Sequence, residues 1–333
     1  MGRHRVGVIV RTKDRPVFLR RALDDIAAQT LLAREPGIAR VVIVNDGGDA
    51  ERVRQIVAQH PIASAITVVD NAISRGRWTA ANQGVAAARG DEYLVLHDDD
   101  DTWHPDFLTE TVAFLDRPEN APYAGVATFN DEVRERAEAG GYVELSREPF
   151  LREIQHIAFI EMCRGNLFPP IAYLYRSSVH ETVGLYDESM SVLADWEFNL
   201  RTVRRFDIGM ITKPLAYWHK RVETDGARDA SRNATAGGEW DYDENIVRLA
   251  NRLLREDLDG GALGVGYLVN VLQLERREAV ERDRNVHLHL AQAIEHLRAG
   301  LDGVNQHVTA NTERVLAAPG LARSAWRRVL GRR

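Results

Sequence analysis

Four consecutive aspartates occupy positions 98–101, directly after the apolar run 93–96 and His97. The apolar run is typical of a buried strand, and four carboxylates at its end are costly unless a cation or hydrogen-bond donors compensate them. Asp98 and Asp100 are two residues apart, so in an extended segment their side chains point the same way and can share one ion. Carboxylate oxygens favour a hard divalent cation such as Mg2+ or Mn2+. A solvated acidic turn is the alternative, but the position at a strand end favours the metal site.

The elements that would position these aspartates alternate between apolar strands and amphipathic helices. Strands are predicted at 6–10, 41–44, 66–69 and 93–96, with a helix after each of the first three. This order predicts a doubly wound, largely parallel sheet. The loops at the carboxyl ends of such strands meet at one edge, where ligands bind. Asp14 and Asp46 follow the first two strands, so we expect them beside the aspartate cluster.

A phosphate-cradling glycine loop is missing from the sequence. There is no Gly-x-Gly-x-x-Gly after the first strand and no Gly-x-x-x-x-Gly-Lys-Ser/Thr motif. Any bound diphosphate would therefore be neutralised by a metal together with Arg75 or Arg77.

The second half of the chain is less regular. Strands are predicted at 124–129, 171–175, 208–211 and 215–219, and 131–141 is a charged stretch. Asp195 stands at the N-terminal end of a predicted helix, where an aspartate commonly serves as the N-cap.

Composition narrows the class of protein. The 333 residues carry 43 basic and 49 acidic side chains, a net charge of -6, which argues against nucleic acid as the main partner. The single cysteine, Cys163, excludes an internal disulfide and a cysteine-based metal site. No apolar run approaches the ~20 residues that span a bilayer, and the N-terminus leaves no room for a signal peptide. We therefore expect a cytoplasmic protein.

Helical periodicity dominates the C-terminal part. Apolar residues at a three-four spacing within 286–315 form a heptad seam, which predicts a homo-oligomer, although packing back onto the rest of the chain is an equal alternative. Residues 321–333 are basic and amphipathic, which favours peripheral contact with the inner face of a membrane; a frayed tail is the alternative. The polar loop 221–238 is predicted to be either disordered or a lid, and 226–240 is assigned as a flexible loop between the two parts of the chain.

Six motifs occur in an order that resembles the family-2, inverting nucleotide-sugar glycosyltransferases of GT-A fold, over roughly residues 5 to 225. Each motif is weak alone, and the order makes the resemblance specific. The motifs are Thr12-Lys13-Asp14-Arg15, Val44-Asn45-Asp46-Gly47, Gly76 with Ala80-Ala81-Asn82-Gln83-Gly84, Asp98-Asp99-Asp100-Asp101 with Pro105, Tyr175-Arg176-Ser177-Ser178-Val179 with Gly184-Leu185-Tyr186-Asp187-Glu188, and Asp195-Trp196-Glu197 with Arg201.

The resemblance implies an α/β fold with a Rossmann-like, mixed, mostly parallel sheet, and the helical periodicity of the C-terminal part adds a helical appendage. The expected divisions are a glycosyltransferase domain at 1–225, the loop at 226–240 and a helical region at 241–333 with its basic tail. Within the first, about 1–130 would be the nucleotide-binding half and 131–225 the acceptor half.

The resemblance also implies roles for single residues. Asp14 and Asp46 would contact the nucleotide base, and Asp98 and Asp99 the ribose and diphosphate. Asp100 would be the main metal ligand. The full predicted donor-binding set is Thr12, Asp14, Arg15, Asp46, Arg75, Arg77, Asn82, Asp98 and Asp99.

Asp195 would be the general base. His219 would complete a metal shell with Asp98 and Asp100, although a lone histidine is as often packed or on the surface. Trp103, Trp196 and Trp218 would either stack on a sugar or belong to the core. Two residues depart from the family pattern. His97 replaces an apolar residue, and Ala194 replaces the acid that often precedes the base, which leaves Asp195 without a neighbouring carboxylate.

The expected function is thus a metal-dependent, hexosyltransferase-type transfer from a nucleotide-sugar, with UDP favoured, to the hydroxyl of a saccharide or lipid-linked acceptor. Cell-surface polysaccharide or glycolipid synthesis is the expected setting. One alternative is a sugar nucleotidyltransferase, which normally has a glycine-rich basic loop after its first strand; residues 11–15 contain no glycine. The other is a non-catalytic scaffold that binds a sugar nucleotide.

Overall fold

The computed structural model describes residues 4–138, 141–221, 239–261 and 263–317. By internal contacts the chain divides into two compact units, Met1–Leu272 and Gln273–Arg333. The predicted divisions at 225 and 241 stay a prediction. The elements, in chain order, are β1 (Val6–Thr12), α1 (Pro16–Ala27), α2 (Thr30–Arg34), β2 (Ala39–Asp46), α3 (Ala50–Ala58), β3 (Ile66–Asn71), α4 (Arg77–Ala87), β4 (Tyr93–Leu96), β5 (Thr102–Trp103), α5 (Phe107–Leu115), β6 (Tyr123–Glu138), β7 (Gly141–Phe150), α6 (Phe159–Arg164), β8 (Tyr173–Arg176), α7 (Val179–Val183), α8 (Ala194–Val203), β9 (Asp207–Arg221), α9 (Glu239–Asp259) and α10 (Val265–Ala317).

The strands of the described part form one mixed sheet in the order β3-β2-β1-β4-β8-β6-β9-β5, with β7 paired to β6. The first four strands pair in parallel, as do β6 and β9. The strands β5, β7 and β8 join antiparallel. The predicted α/β sheet and the C-terminal helical region are confirmed.

Near-continuous apolar sequence explains why β1, β2 and β4 lie at the centre of the sheet. Every residue of β1 and β4 is buried, as expected for parallel strands covered on both faces. Helix α4 packs closely on β1, because a Cβ at Gly84 would lie 2.2 Å from Ile9 Cγ2. A side chain at position 84 would therefore collide with β1, and glycine allows the close approach of the helix.

Two elements of the second half are longer than the sequence pattern indicates. The sequence identifies 131–141 only as a charged stretch, and in the structure β6 continues through residues 131–138 and pairs with β7 and β9. The strands predicted at 208–211 and 215–219 are one strand, β9, with a register irregularity in its pairing with β6 near Pro214. Continuous pairing with the long β6 supplies hydrogen bonds that the local sequence does not reveal.

The second unit consists, in its described part, of the C-terminal portion of α10. Its predicted seam is solvent-exposed within this chain, with exposures from 44% to 68% at Leu290, Ile294, Leu297, Leu301, Val304 and Val308. Residues 321–333 of the predicted tail and 222–238, which include most of the predicted loop, lie outside the described residues. Among described residues, no helix is long and apolar enough to cross a membrane.

Candidate active site

The register of β1 against β4 creates the first contacts of the site. Ile9 pairs with Leu96 at the end of the β1–β4 ladder. If the same register is continued, Arg11 stands opposite Asp98 and Thr12 stands opposite Asp99. Arg11 binds Asp98 Oδ1 through Nε at 2.8 Å and Nη2 at 2.5 Å. The Thr12 hydroxyl donates to Asp99 Oδ2 at 2.7 Å. The aspartates predicted at the strand end are therefore held by the neighbouring strand.

Arginines from distant segments hold the next carboxylate. Asp100 Oδ2 lies 3.1 Å from Arg15 Nη1 and 2.6 Å from Arg221 Nη2. Burial would raise the pKa of Asp100, but these two guanidinium groups lower it. For Asp99, burial dominates over Arg15 and raises its pKa to about 6. The pKa values of the two neighbouring carboxyl groups are therefore shifted in opposite directions.

Asp98 and Asp100 each keep one oxygen available for a cation. Asp98 Oδ2 and Asp100 Oδ1 accept no hydrogen bond from any residue that the structure describes. Both residues line the same cavity. No group of three or more His, Cys, Asp or Glu side chains among the described residues is arranged to hold a metal. Two carboxylate oxygens with diphosphate oxygens and water still form a donor set that suits Mg2+, which is commonly bound by one or two carboxylates and substrate phosphates.

His219 is engaged on both ring nitrogens. Nδ1 lies 2.8 Å from Glu135 Oε2, and Nε2 lies 2.8 Å from the Thr102 hydroxyl. Its backbone N–H donates to Asp101 Oδ1 at 2.8 Å. Because Nε2 meets Thr102, this nitrogen would have to exchange the hydroxyl for a metal. The prediction that His219 is a metal ligand stays a prediction.

Asp46 organises the loop that precedes α4. Its carboxylate accepts hydrogen bonds from the Ser74 hydroxyl at 2.7 Å and from the backbone N–H groups of Arg75 and Gly76 at 2.7 and 3.0 Å. Asn71 Nδ2 donates a further bond of 3.0 Å. Burial would raise the pKa of Asp46, and these donors together lower it. The contact of Asp46 with a base stays a prediction, since this carboxylate already accepts four hydrogen bonds.

A cavity of about 880 Å3 lies along this edge, within the range of ligand pockets. It brings together most of the predicted donor-binding residues. Arg75 and Asn82 are not in its wall: Arg75 is exposed, and the buried Asn82 donates to the Tyr186 carbonyl at 2.9 Å and to Glu188 at 2.8 Å. The predicted residues in the wall are Thr12, Asp14, Arg15, Asp46, Arg77, Asp98 and Asp99, with Asp100.

Among the described residues, the Arg77 guanidinium has no hydrogen-bond or ion-pair partner. Arg77 is the first residue of α4 and lies in the cavity wall. Burial and the neighbouring Arg11 lower its pKa. A guanidinium in this state is poised to bind an anion.

A second cavity of about 190 Å3 adjoins the first. The lining of this second cavity includes the apolar side chains of Phe150, Phe168, Leu193 and Trp218. Of the three tryptophans considered above, only Trp218 is placed to meet a ligand here; Trp103 and Trp196 are buried core residues. The side chains that line both cavities are Arg11, Arg77, Trp78, Asp98 and Asp100.

Asp195 lies in the wall of the smaller cavity and is the second residue of α8. The helix N-cap is Leu193, with φ of 71°, so the N-cap interpretation of Asp195 is wrong. Asn166 Nδ2 donates to Asp195 Oδ2 at 2.7 Å. Burial raises the pKa of the Asp195 carboxyl. The backbone N–H groups of Trp196 and Asp195 and the charge of Arg11 act in the opposite direction, but burial dominates. A carboxylate with a raised pKa is the better proton acceptor.

The structure adds residues that sequence reasoning missed. Glu135 is 3% exposed and binds Arg21 Nη1 at 2.7 Å, in addition to His219. In the structure of β6, residues 131, 133 and 135 are buried and residues 132, 134 and 136 are not. That alternation marks a strand, but its charged residues conceal it from a search for apolar periodicity. The missed residues are Arg11, Arg21, Glu135, Asn166, Glu188 and Arg221.

Comparisons with known proteins agree with this geometry. The chain is 29% identical over 196 residues to a PGL/p-HBAD biosynthesis glycosyltransferase of Mycobacterium bovis (strain BCG / Pasteur 1173P2), which covers 58% of this chain and 68% of that protein. It is 26% identical over 209 residues to the uncharacterized glycosyltransferase YwdF of Bacillus subtilis (strain 168), which covers 61% of this chain and 70% of that protein.

Solved glycosyltransferases share the fold. S. aureus TarS 1–349 superposes with a TM-score of 0.54 at 16% identity, over 84% of this chain and 73% of that one. TarS 1–349 is also known in complex with UDP-GlcNAc. The mannosyltransferase PcManGT from Pyrobaculum calidifontis, in complex with GDP-Man and Mn2+, has a TM-score of 0.56 at 17% identity, over 100% of this chain and 89% of that one. The model of the glycosyl transferase family 2 matches residues 7–174, about half of the chain. The chain therefore belongs to glycosyltransferase family 2.

Proposed function

We propose that this chain is an inverting glycosyltransferase that moves a sugar from a nucleoside diphosphate sugar to a hydroxyl acceptor. The observation that carries the proposal is the pair of adjoining cavities. The larger one is lined by Arg77 and the aspartate cluster, and the smaller one contains Asp195. A donor in the first would present its anomeric carbon at the shared wall, and an acceptor in the second would approach from the side of Asp195.

In this reaction the acceptor oxygen forms a bond to the anomeric carbon while the bond from that carbon to the diphosphate breaks. Asp195 takes the hydroxyl proton, and the raised pKa of its buried carboxyl suits that role. Arg77 binds the diphosphate, whose negative charge grows as the bond breaks. Attack from the face opposite the leaving group inverts the anomeric centre.

Mg2+ or Mn2+ is the proposed cofactor, held by the unpaired oxygens of Asp98 and Asp100. When bound, the ion supplies Lewis-acid stabilisation of the departing diphosphate. The presence of Mn2+ with GDP-Man in PcManGT supports this choice. His219 joins the ligands in the proposal only if its Nε2 leaves the Thr102 hydroxyl.

UDP is the proposed nucleotide, and the UDP-GlcNAc complex of TarS supports it. The proposed acceptor is a saccharide or a lipid-linked molecule of cell-surface polysaccharide or glycolipid synthesis, which the name of the mycobacterial relative supports. We place the reaction in the cytoplasm, with residues 321–333 in peripheral contact with the inner membrane face. The exposed seam within 286–315 supports a homo-oligomer formed through α10.

Calorimetric titration of UDP, GDP and dTDP, each with Mn2+ and with EDTA, tests the donor site. We expect one diphosphate to bind and Mn2+ to strengthen its binding. Failure of all three to bind would refute the transferase proposal.

A second measurement tests the base. Asp195→Asn should keep donor binding and lower the rate of sugar transfer to the acceptor, measured as acceptor-dependent release of the diphosphate, by about 100-fold or more. Full activity of this variant would remove Asp195 as the base.

A further inference from the structure

Asn166 lies between α6 and α8, and its side-chain amide has both ends occupied. Nδ2 donates to Asp195 Oδ2 at 2.7 Å, and Oδ1 accepts a bond of 3.0 Å from Asn199 Nδ2. Asn199 is 4% exposed and stands four residues after Asp195 on the same helix, so both face Asn166. The result is a short hydrogen-bonded chain that runs from Asn199 through Asn166 to Asp195.

The orientation of the Asn166 amide follows from this chain. The Asn199 amide donates, so it holds the carbonyl end of Asn166, and the NH2 end is left to face the carboxylate. The segment that carries Asn166 is also tied to α8, because Trp196 Nε1 donates to the Met162 carbonyl at 2.7 Å. A donor held at both ends restricts rotation of the carboxylate that it binds.

We propose that Asn166, oriented by Asn199, is a positioning residue that fixes the Asp195 carboxylate so that Oδ1 meets the acceptor hydroxyl. Asn166 binds Oδ2, and no other described side chain donates a hydrogen bond to this carboxyl, on which the backbone N–H groups of Asp195 and Trp196 also act. The family pattern often has an acid directly before the base, and Ala194 stands there in this chain. In this chain the neutral side-chain amide of Asn166, from a different segment, binds the Asp195 carboxylate. The inference rests on the proposed role of Asp195.

The amide and a neighbouring acid act differently on the base. A carboxylate beside Asp195 would raise its pKa by repulsion, whereas an N–H donor stabilises the ionised form and opposes the effect of burial. Removing the donor should therefore raise the pKa of Asp195. Other charged or titratable groups also surround this carboxyl, on the elements packed against it and across the cavities that it lines. Among the described residues they are Arg11, Arg77, Asp98, Asp100, Asp101, Tyr173, Tyr175, Tyr186, His219, Lys220 and Tyr242.

Three variants test the chain of amides. Asn166→Ala deletes the donor, Asn166→Asp keeps the shape but presents a carboxylate, and Asn199→Ala frees the Asn166 amide to rotate. Asn120→Ala is the matched control, because Asn120 donates to a backbone carbonyl on α5, at Phe114, and not to the carboxylate. Thermal unfolding and the dissociation constant of the diphosphate show whether each variant keeps its fold and donor site.

Two readouts follow the carboxylate itself. In wild-type protein and variants, the pKa of Asp195 is measured by carbon-13 titration of aspartate carboxyl groups, with Asp195→Asn assigning the signal. The acid limb of kcat/KM for diphosphate release should move with it. For Asn166→Ala we expect kcat to fall about tenfold or more and the pKa to rise by about one unit, with donor binding within twofold. Asn166→Asp should raise the pKa further, and Asn199→Ala should give a smaller shift.

An unchanged Asp195 pKa and an unchanged acid limb in Asn166→Ala would overturn the inference, as would equal shifts in Asn120→Ala. Loss of stability and donor affinity without a shift of the acid limb would reduce Asn166 to a structural role. Failure of the proposed function is a separate result: Asp195→Asn would then keep full activity, or the wild-type chain would bind no diphosphate.

Discussion

Replacement of Arg77 by alanine gives the sharpest test of the donor site. The Arg77 guanidinium makes no hydrogen bond or ion pair within the described ranges, and burial and Arg11 already lower its pKa. Its removal should therefore cost the free protein little, whereas the bound diphosphate loses a charge-assisted contact. Such a hydrogen bond to a charged group contributes about 1.5–3 kcal/mol, so its loss should raise the dissociation constant of the diphosphate by about 10- to 150-fold.

The chain offers a matched control two residues earlier. Arg75 is exposed and lies outside the cavity wall, so Arg75→Ala should change the dissociation constant by less than about twofold. Arg77→Lys keeps the charge but loses the planar fork, and we expect an intermediate loss. Calorimetric titration of the diphosphate that the wild type binds, in Mn2+ at fixed ionic strength, measures all three variants.

Two results would refute this reasoning. Unchanged binding in Arg77→Ala, with a fold confirmed by thermal unfolding, would mean that the diphosphate lies elsewhere. An equal loss in Arg75→Ala and Arg77→Ala would mean that the arginines act only through their general positive field.

Four further expectations follow from other parts of the chain. Asp100→Ala should abolish the strengthening of diphosphate binding by Mn2+; a calorimetric affinity that still responds fully to Mn2+ would contradict the metal site. Glu135→Ala leaves His219 and two arginines without the buried carboxylate that they share. The variant should therefore lower the free energy of unfolding, measured by urea titration, by about 3–5 kcal/mol. A loss below about 1 kcal/mol would contradict this expectation. Leu297→Asp should lower the molar mass that light scattering measures for any α10-dependent oligomer, and an unchanged mass would refute oligomerisation through α10. Deletion of 321–333 should weaken association with liposomes, and unchanged partitioning would refute the membrane contact.

The position of the acidic site was predictable because it depends on short-range pattern. Alternation of apolar strands and amphipathic helices predicts a parallel sheet, and the strand-end rule then gathers the loops after β1, β2 and β4 at one edge. The predicted strand 93–96 coincides with β4, and the predicted strands 6–10, 41–44 and 66–69 lie within β1, β2 and β3. Local sequence carries that information.

The partners of the site residues were not predictable, because they come from segments far apart in the chain. Glu135 meets Arg221 because β6 and β9 pair in parallel with these two residues opposite each other. Nothing near position 135 signals this pairing, and a run of alternating charges is more often a solvated face. Asn166 reaches Asp195 in the same way, through the packing of α6 against α8 rather than through a motif.

His97 shows how a departure from a family pattern becomes intelligible only in three dimensions. Its ring is fully buried, and Nε2 lies 3.0 Å from Asp25 Oδ2 on α1. The same Asp25 oxygen accepts the backbone N–H of Trp103 at 2.9 Å. The histidine thus links β4, α1 and β5 directly beneath the aspartate cluster, which an apolar side chain at this position could not do.

The arginines around the aspartate cluster bear on what the proposed metal ion would do. Four carboxylates at a strand end need compensation, and Arg11, Arg15 and Arg221 supply it from within the chain. Each guanidinium contact on Asp98 or Asp100 uses only one oxygen of that carboxylate, so a cation can bind the other oxygen without breaking an ion pair. The cluster therefore does not depend on a metal for its own stability, and a metal gains most when a diphosphate contributes the remaining ligands. On this reasoning the cation belongs to the donor complex, and its binding should be strongly coupled to that of the nucleotide.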